Sequence, residues 1–235
     1  MINVVIIGHN EGRSVDKMLS ALPSEWKIIY VADRCSDDTI CSIKQYSDIH
    51  KKDIHVIDTN YLGIPLEGRQ TSFCRNLGLS VTDPDSDVLF MDGDRYVVSG
   101  DIKTICNSVS DVTLLTLERD GRNSMEFDIQ KSYGTVYNGF FSCGMFIKRS
   151  AINKITSHSL LSRKNSIPQL FPEALQGSWG IEDTTLGDIC YDLDLSVSLC
   201  REVRLRGGFD RNNVDSLDVI EKRFQFRSKL SHVKW

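Results

Sequence analysis

Ile2 to Gly8 is an almost unbroken apolar run rich in β-branched residues, the pattern of a strand covered on both faces. Gly12-Arg13-Ser14 breaks it. Val15, Met18, Leu19 and Leu22 then recur at helical spacing until Pro23 stops the helix. Lys27 to Ala32 reads as a second strand and Asp33 to Asp38 as a polar loop. Ser36 or Asp37 is placed to cap a helix running to about Tyr46. Ile54 to Ile57 is a third strand, followed by a loop from Asn60 to Gly68. Arg69 to Leu79 reads as a helix with Phe73 and Leu77 on one face. Asp87 to Met91 is a fourth strand that runs directly into Asp92-Gly93-Asp94. Strands separated by helices of this length predict an α/β fold with a parallel sheet and right-handed crossovers.

The second half is less regular. Asp111 to Glu118 is a strand, residues 119 to 138 are polar and read as a hairpin or flap, and Gly139 to Lys148 is apolar with glycine breaks. Residues 156 to 170 read as a loop. Ile181 to Leu193 is a helix that opens on the acidic pair Glu182-Asp183, and Leu195 to Leu205 is another strand. From Asp215 the chain is charged and helical, with Val219, Ile220 and Phe224 spaced for one face. No repeat and no linker divides the chain, so residues 1–235 read as one domain. Residues 1–98 form one half and residues 99–235 the other, with a helical tail.

Composition narrows the classes. The chain has 235 residues, 40% hydrophobic and 26% charged, which fits a folded globular protein. A net charge of −4 argues against a general coat for nucleic acid. Seven cysteines without a CxxC pair read as reduced thiols. The first apolar run is short, meets Asn10 and Glu11 at once and is not a signal peptide. No stretch approaches the ~18 apolar residues of a membrane helix. The expectation is a soluble cytoplasmic protein without a transmembrane anchor.

Asp92 and Asp94 flank a glycine at the carboxyl end of a buried strand. Ligands of open α/β sheets bind at that edge. Two carboxylates on a tight turn suit a hard divalent cation, Mn2+ or Mg2+, which can bridge two phosphates and neutralise a leaving diphosphate. The spacing alone is common, and an ordinary solvated turn is the competing reading.

Five ordered segments, this strand among them, resemble the family 2 glycosyltransferases and their relatives with the GT-A fold. They are VVIIGHNEGRSVDKMLSAL, YVADRCSDDT, GRQTSFCRNLGL, VLFMDGDRYV and GSWGIEDTTLGDICYDLDL, covering roughly residues 2–195. The resemblance implies a mostly parallel central sheet flanked by helices, with a Rossmann-like nucleotide-binding half and an acceptor-binding half. It implies that Gly8, Asn10 and Glu11 line the nucleotide pocket and that Asp33 bonds the base. Arg69, with Arg75 or Asn76, falls near the diphosphate. Asp92 and Gly93 belong to the nucleotide-sugar site, with Asp92 on ribose or metal and Asp94 on metal. Asp183, with Glu182 beside it, is the implied general base. Trp179 is placed to stack on a sugar face. A histidine late in the chain often completes the metal shell, and His232 has a better position than His158.

The implied function is transfer of a sugar from a nucleotide-sugar, UDP-sugar favoured, to an acceptor hydroxyl with inversion. Inversion needs a carboxylate to take the acceptor's proton. The acceptor stays open between a polysaccharide, a glycoconjugate and modified DNA. A basic segment from Arg149 to Lys164 suits an anionic partner, and Arg204 with Arg206 share a strand face that suits a phosphate. Two alternatives remain. One is a sugar-activating nucleotidyltransferase, although the first turn GHNEGRS has no lysine before Lys17. The other is a non-catalytic nucleotide-sugar-binding module.

Overall fold

The computed structural model describes residues 2–63, 70–119, 122–125, 131–132, 136–137, 141–159, 161, 169–173 and 181–207. The predicted apolar runs form a parallel wing. Strand β1 (Ile2–Gly8) lies between β2 (Lys27–Ala32) and β4 (Asp87–Asp92), and β3 (Ile54–Asp58) flanks β2. Every residue of β1 is buried, as its lack of alternation requires. The register pairs Gly8 with Ala32, Ala32 with Asp58, and Ile7 with Asp92, so all four strands end at one edge. That shared edge brings together Gly8, Asp33 and the Asp92-Gly93-Asp94 turn.

Helices connect the strands. They are α1 (Val15–Ser20), α2 (Thr39–His50) and α3 (Thr71–Ser80). Helix α3 starts two residues later than its sequence pattern suggests. Phe73 and Leu77 are only half-buried. The fully covered residues are Ser72, Cys74, Arg75, Asn76, Gly78 and Leu79.

Beyond β4 the sheet becomes mixed. Strand β5 (Arg95–Ser99) follows the acidic turn, and β6 (Val112–Arg119) carries β7 (Arg122–Met125) at its side. Strands β8 (Lys131–Ser132) and β9 (Val136–Tyr137) make a small separate sheet. Strand β10 (Met145–Ile147) lies antiparallel between β4 and β6. Its reversed direction puts the residues just before Met145 at the carboxyl edge of β4. Helix α4 (Arg149–Thr156) follows, then α5 (Ile181–Asp192) and β11 (Val197–Gly207). Strand β11 pairs parallel with β6 and antiparallel with β5, and its register shifts between Cys200 and Arg204.

Strand β5 and helix α4 are absent from the sequence reading. Helix α4 has only eight residues, and Ala151, Ile152 and Ile155 form its whole buried stripe. The expected tail helix from Asp215 lies outside the described residues. Among the described residues, no helix is long and apolar enough to cross a membrane.

Helix α3 rests close on the parallel wing. A Cβ at Gly78 would lie 2.4 Å from Val5 Cγ1 and 3.2 Å from Val31 Cγ2. Overpacking of this kind costs about 1–3 kcal/mol, and the helix-propensity gain of alanine returns only ~1 of it. Gly78→Ala is therefore expected to lower the denaturation midpoint. An unchanged urea midpoint would show that α3 has slack against β1.

Candidate active site at the carboxyl edge of the sheet

Strand β4 ends on Asp92, and the turn is fixed when Gly93 N donates to Ile7 O at 2.7 Å. Each carboxylate of the turn meets an arginine. Arg75 of α3, 3% exposed, donates to Asp92 Oδ1 at 2.8 Å. Arg95, also 3% exposed, brings Nε to 3.4 Å from Asp94 Oδ1, and its guanidinium donates to Gly207 O at 2.8 Å. The end of β11 is thereby tied to the acidic turn.

Arg75 also faces the other half of the molecule. Its guanidinium reaches to 3.8 Å from Asp183 Oδ1 and sits 5.3 Å from the centre of the Phe171 ring. Asp183 stands in the first turn of α5 and accepts a hydrogen bond from the Ser142 hydroxyl, which arrives just ahead of β10. Burial pushes the Asp183 carboxyl above the ordinary carboxylate range. The Arg75 charge and the Ser142 hydrogen bond pull it back down, and nearby Asp92 pushes it up. A carboxyl shifted in that direction suits proton abstraction near neutral pH.

The opposite wall is built from the ends of β1 and β2. Asn10 adopts φ +59°, and its side-chain Oδ1 accepts from Ser36 N at 2.8 Å and from Asp37 N at 3.3 Å. Glu11 N donates to Thr39 Oγ1 at 2.8 Å, and Gly12 N to Asp37 Oδ2 at 3.1 Å. These bonds join the first turn to the second loop. Asp33 is held by its own neighbour, since Arg34 Nε and a terminal nitrogen donate to its two carboxylate oxygens at 2.8 Å each. The implied base contact thus falls on a carboxylate already paired.

Asn76 does something else than the resemblance implies. Fully buried, it accepts from Leu170 N at 3.0 Å and Phe171 N at 2.9 Å, and donates to Phe171 O at 2.7 Å. It clamps the segment at 169–173 against α3. Phe171 in turn packs edge-on against Phe90 of β4, with ring centres 5.2 Å apart.

The carboxylates suit a divalent cation. Asp92 and Asp94 are 30% and 26% exposed at the side chain, and both offer hard oxygen ligands. Among the described residues, no group of three His, Cys, Asp or Glu stands ready to hold a metal. An ion at this turn would complete its shell from phosphate oxygens and water.

Several candidates fall elsewhere. His158 Nε2 lies 3.0 Å from Asp192 Oδ2, at the far end of α5 from Asp183, roughly 13 Å along the helix axis at its standard rise. Arg204 and Arg206 do share a face, but both turn to Glu118, at 3.6 and 2.6 Å. Arg149 donates to Ser86 O, Asp83 O and Thr82 Oγ1, so the first residue of the basic segment is structural. Glu182 is placed in α5, beside Asp183. Arg69, Trp179 and His232 lie outside the described residues. Arg95, Ser142 and Phe171 were missed. Arg95 adjoins the triplet and was open to view. Ser142 was hidden inside the apolar run GFFSCGMFIK.

No protein-family model and no curated protein matches this sequence. Solved structures do match. A Staphylococcus aureus TarS fragment, residues 1–349, in complex with UDP superposes with a TM-score of 0.66 at 18% identity, covering 97% of this chain and 64% of that one. A longer TarS chain gives 0.68 at 19% identity, over 97% and 39%. The mannosyltransferase PcManGT of Pyrobaculum calidifontis, in complex with GDP-Man and Mn2+, gives 0.58 at 10% identity, over 97% and 69%. The chain has the GT-A fold. It spans less than two thirds of either TarS chain. A nucleoside-diphosphate-sugar pyrophosphorylase of Vibrio cholerae also superposes, at a TM-score of 0.50 and 11% identity, over 96% of this chain and all of that one. The GT-A frame is thus compatible with sugar activation as well as sugar transfer, and the site must separate them.

Removing Arg75 leaves the partly exposed Asp92 and Asp183 uncompensated, which costs less than breaking a fully buried pair, roughly 1–3 kcal/mol. Arg75→Met is expected to destabilise the protein on that scale. Asp92→Asn leaves Arg75 facing Asp183 and should cost clearly less. Equal losses in urea titrations of the two variants would show that Arg75 is not the shared element.

Proposed function

We propose that the protein is a metal-dependent glycosyltransferase that moves a sugar from a nucleotide-sugar, UDP-sugar favoured, to an acceptor hydroxyl with inversion. The observation that carries this is the placement of Asp183. A buried carboxyl with a raised pKa faces the Asp92 end of the acidic turn across a single guanidinium. Sugar transfer needs such a base on the acceptor side. Sugar activation, in which a sugar phosphate attacks a nucleoside triphosphate, needs no base for an already ionised nucleophile. The first turn is also not a basic triphosphate grip. Lys17 instead lies over the Tyr96 ring at 5.4 Å.

Asp94 and Asp92 would hold Mn2+ or Mg2+, which when bound neutralises charge on the leaving diphosphate. The first turn, with Gly8, Asn10 and Glu11, and the second loop with Asp33 form the nucleoside wall. Arg75 fixes Asp92 and Asp183 at the same time. Asp183 takes the proton of the acceptor hydroxyl as that oxygen attacks the anomeric carbon, and Ser142 fixes the carboxylate's orientation. The two halves, residues 1–98 and 99–235, act as one catalytic domain. TarS, crystallised with UDP, supports a uridine donor. PcManGT, with its GDP-Man and Mn2+, supports metal use. The acceptor belongs to the class of polysaccharide, glycoconjugate or modified DNA.

A thermal-shift panel of nucleoside diphosphates and their sugars, with and without Mn2+, tests the donor, because a ligand of the native state raises apparent stability. The expected result is a metal-dependent shift that Asp94→Ala abolishes. Asp183→Asn is expected to keep the shift and lose transfer. Transfer near the unaltered rate in that variant would remove Asp183 from the mechanism.

The raised Asp183 pKa also fixes a pH response. The base works only when ionised, so kcat is expected to rise with pH through a value above the ordinary ~4 of an aspartate. An acidic limb at or below the ordinary value would contradict the assignment.

A further inference from the structure

Tyr30 lies on β2, in register with Ile6 of β1 and Val56 of β3, and is completely buried. Its hydroxyl ends beneath the two glycines of the site. A Cβ on Gly8 would lie 2.0 Å from that oxygen, and one on Gly93 would lie 2.6 Å from it. Neither glycine has a positive φ, so the backbone conformation does not call for glycine at either place. What both positions need is the space that the phenol occupies.

Among the described residues, the Tyr30 hydroxyl has no hydrogen-bond partner. Stability alone does not ask for it, because phenylalanine fills the same volume without a buried, unbonded hydroxyl. Burial, with the carboxylates of Glu11, Asp37 and Asp94 nearby, holds the phenol in its protonated form as a hydrogen-bond donor. The side chain of Glu11 lies across the two glycines, with Cγ 3.3 Å from the Cβ position of each. Donor, spacing glycines and covering side chain all stand at the strand edge where ligands of such sheets bind.

We propose that Tyr30 is a ligand-contacting residue, whose hydroxyl donates to an oxygen of a bound nucleoside diphosphate once the Glu11 side chain moves off Gly8 and Gly93. This inference rests on the glycosyltransferase reading of the site. The acceptor oxygen belongs to the ribose or to the diphosphate, and both offer a lone pair that no described residue gives the phenol.

The test is Tyr30→Phe in the full chain. Calorimetry would use the tightest binder among UDP, GDP, CDP and ADP with Mn2+, and the ligand-free thermal midpoint would be read alongside. The expected result is affinity about tenfold weaker, the scale of one lost hydrogen bond, with a midpoint equal to or above that of the unaltered protein. Parallel titrations with the matching nucleoside monophosphate and with inorganic pyrophosphate plus Mn2+ locate the oxygen. A loss confined to the monophosphate arm assigns it to the nucleoside half, and a loss in the pyrophosphate arm assigns it to the diphosphate. Equal nucleotide affinity in the two proteins overturns the inference and leaves the glycosyltransferase reading intact. A lower midpoint with unchanged affinity also overturns it, because that marks a packing role. If the unaltered protein binds none of the nucleotides, both readings fall together.

Discussion

One buried cation organises this site. Arg75 is almost wholly removed from water, and a guanidinium is stable there only against compensating negative charge. Its compensation comes from two directions, Asp92 at 2.8 Å and Asp183 at 3.8 Å. These acids come from opposite halves of the chain, one at the end of a parallel strand and the other on a helix almost a hundred residues later. Satisfying the arginine therefore sets the distance between them. Phe171 closes the guanidinium from another side, and the Asn76 side chain pins Leu170 and Phe171 through three hydrogen bonds to their backbone, two of them on Phe171. Arg95 repeats the device at Asp94, where it also holds the end of β11.

Helix α3 is the part that makes this possible. Gly78 lets it lie against β1, Arg75 reaches the acidic turn, and Asn76 grips the segment at 169–173. Three adjacent tasks leave little room for an apolar stripe. That is why the sequence suggests the wrong buried face for α3. Its periodic Phe73 and Leu77 are half-exposed, while polar Arg75 and Asn76 are covered. Their partners stand 17 to 97 residues away in sequence, and no local pattern announces such burial.

The parallel wing was legible for the opposite reason. Strands β1, β2 and β4 are covered on both faces, so their sequences are continuous apolar runs, and the acidic turn follows β4 directly. The other half pairs over long range and through short or edge strands. Strand β10 has three residues and α4 has two turns, so neither leaves a periodic trace. Asp183 could be named from the resemblance, but its control could not. The hydroxyl that orients it belongs to a serine inside an apolar, glycine-broken run. Asp33 shows the converse. Its identity was clear, yet its pairing with the adjacent Arg34 follows from that residue's left-handed backbone, which the sequence does not disclose.

The two arginine–aspartate pairs also constrain how the site can be filled. A divalent cation arriving alone would meet carboxylates whose charge is already offset by Arg75 and Arg95, and its attraction to the turn would be reduced accordingly. A diphosphate arriving alone would meet Asp92, Asp94, Asp183 and Glu11, which repel it. Arriving together, each supplies the charge the other lacks. The metal would neutralise the phosphates, and phosphate oxygens would complete a shell that two carboxylates cannot fill. The arginines thus keep the acids in place while leaving room for one net-compensated ligand, the diphosphate of a nucleotide-sugar together with its metal, which the proposed chemistry would cleave from the sugar.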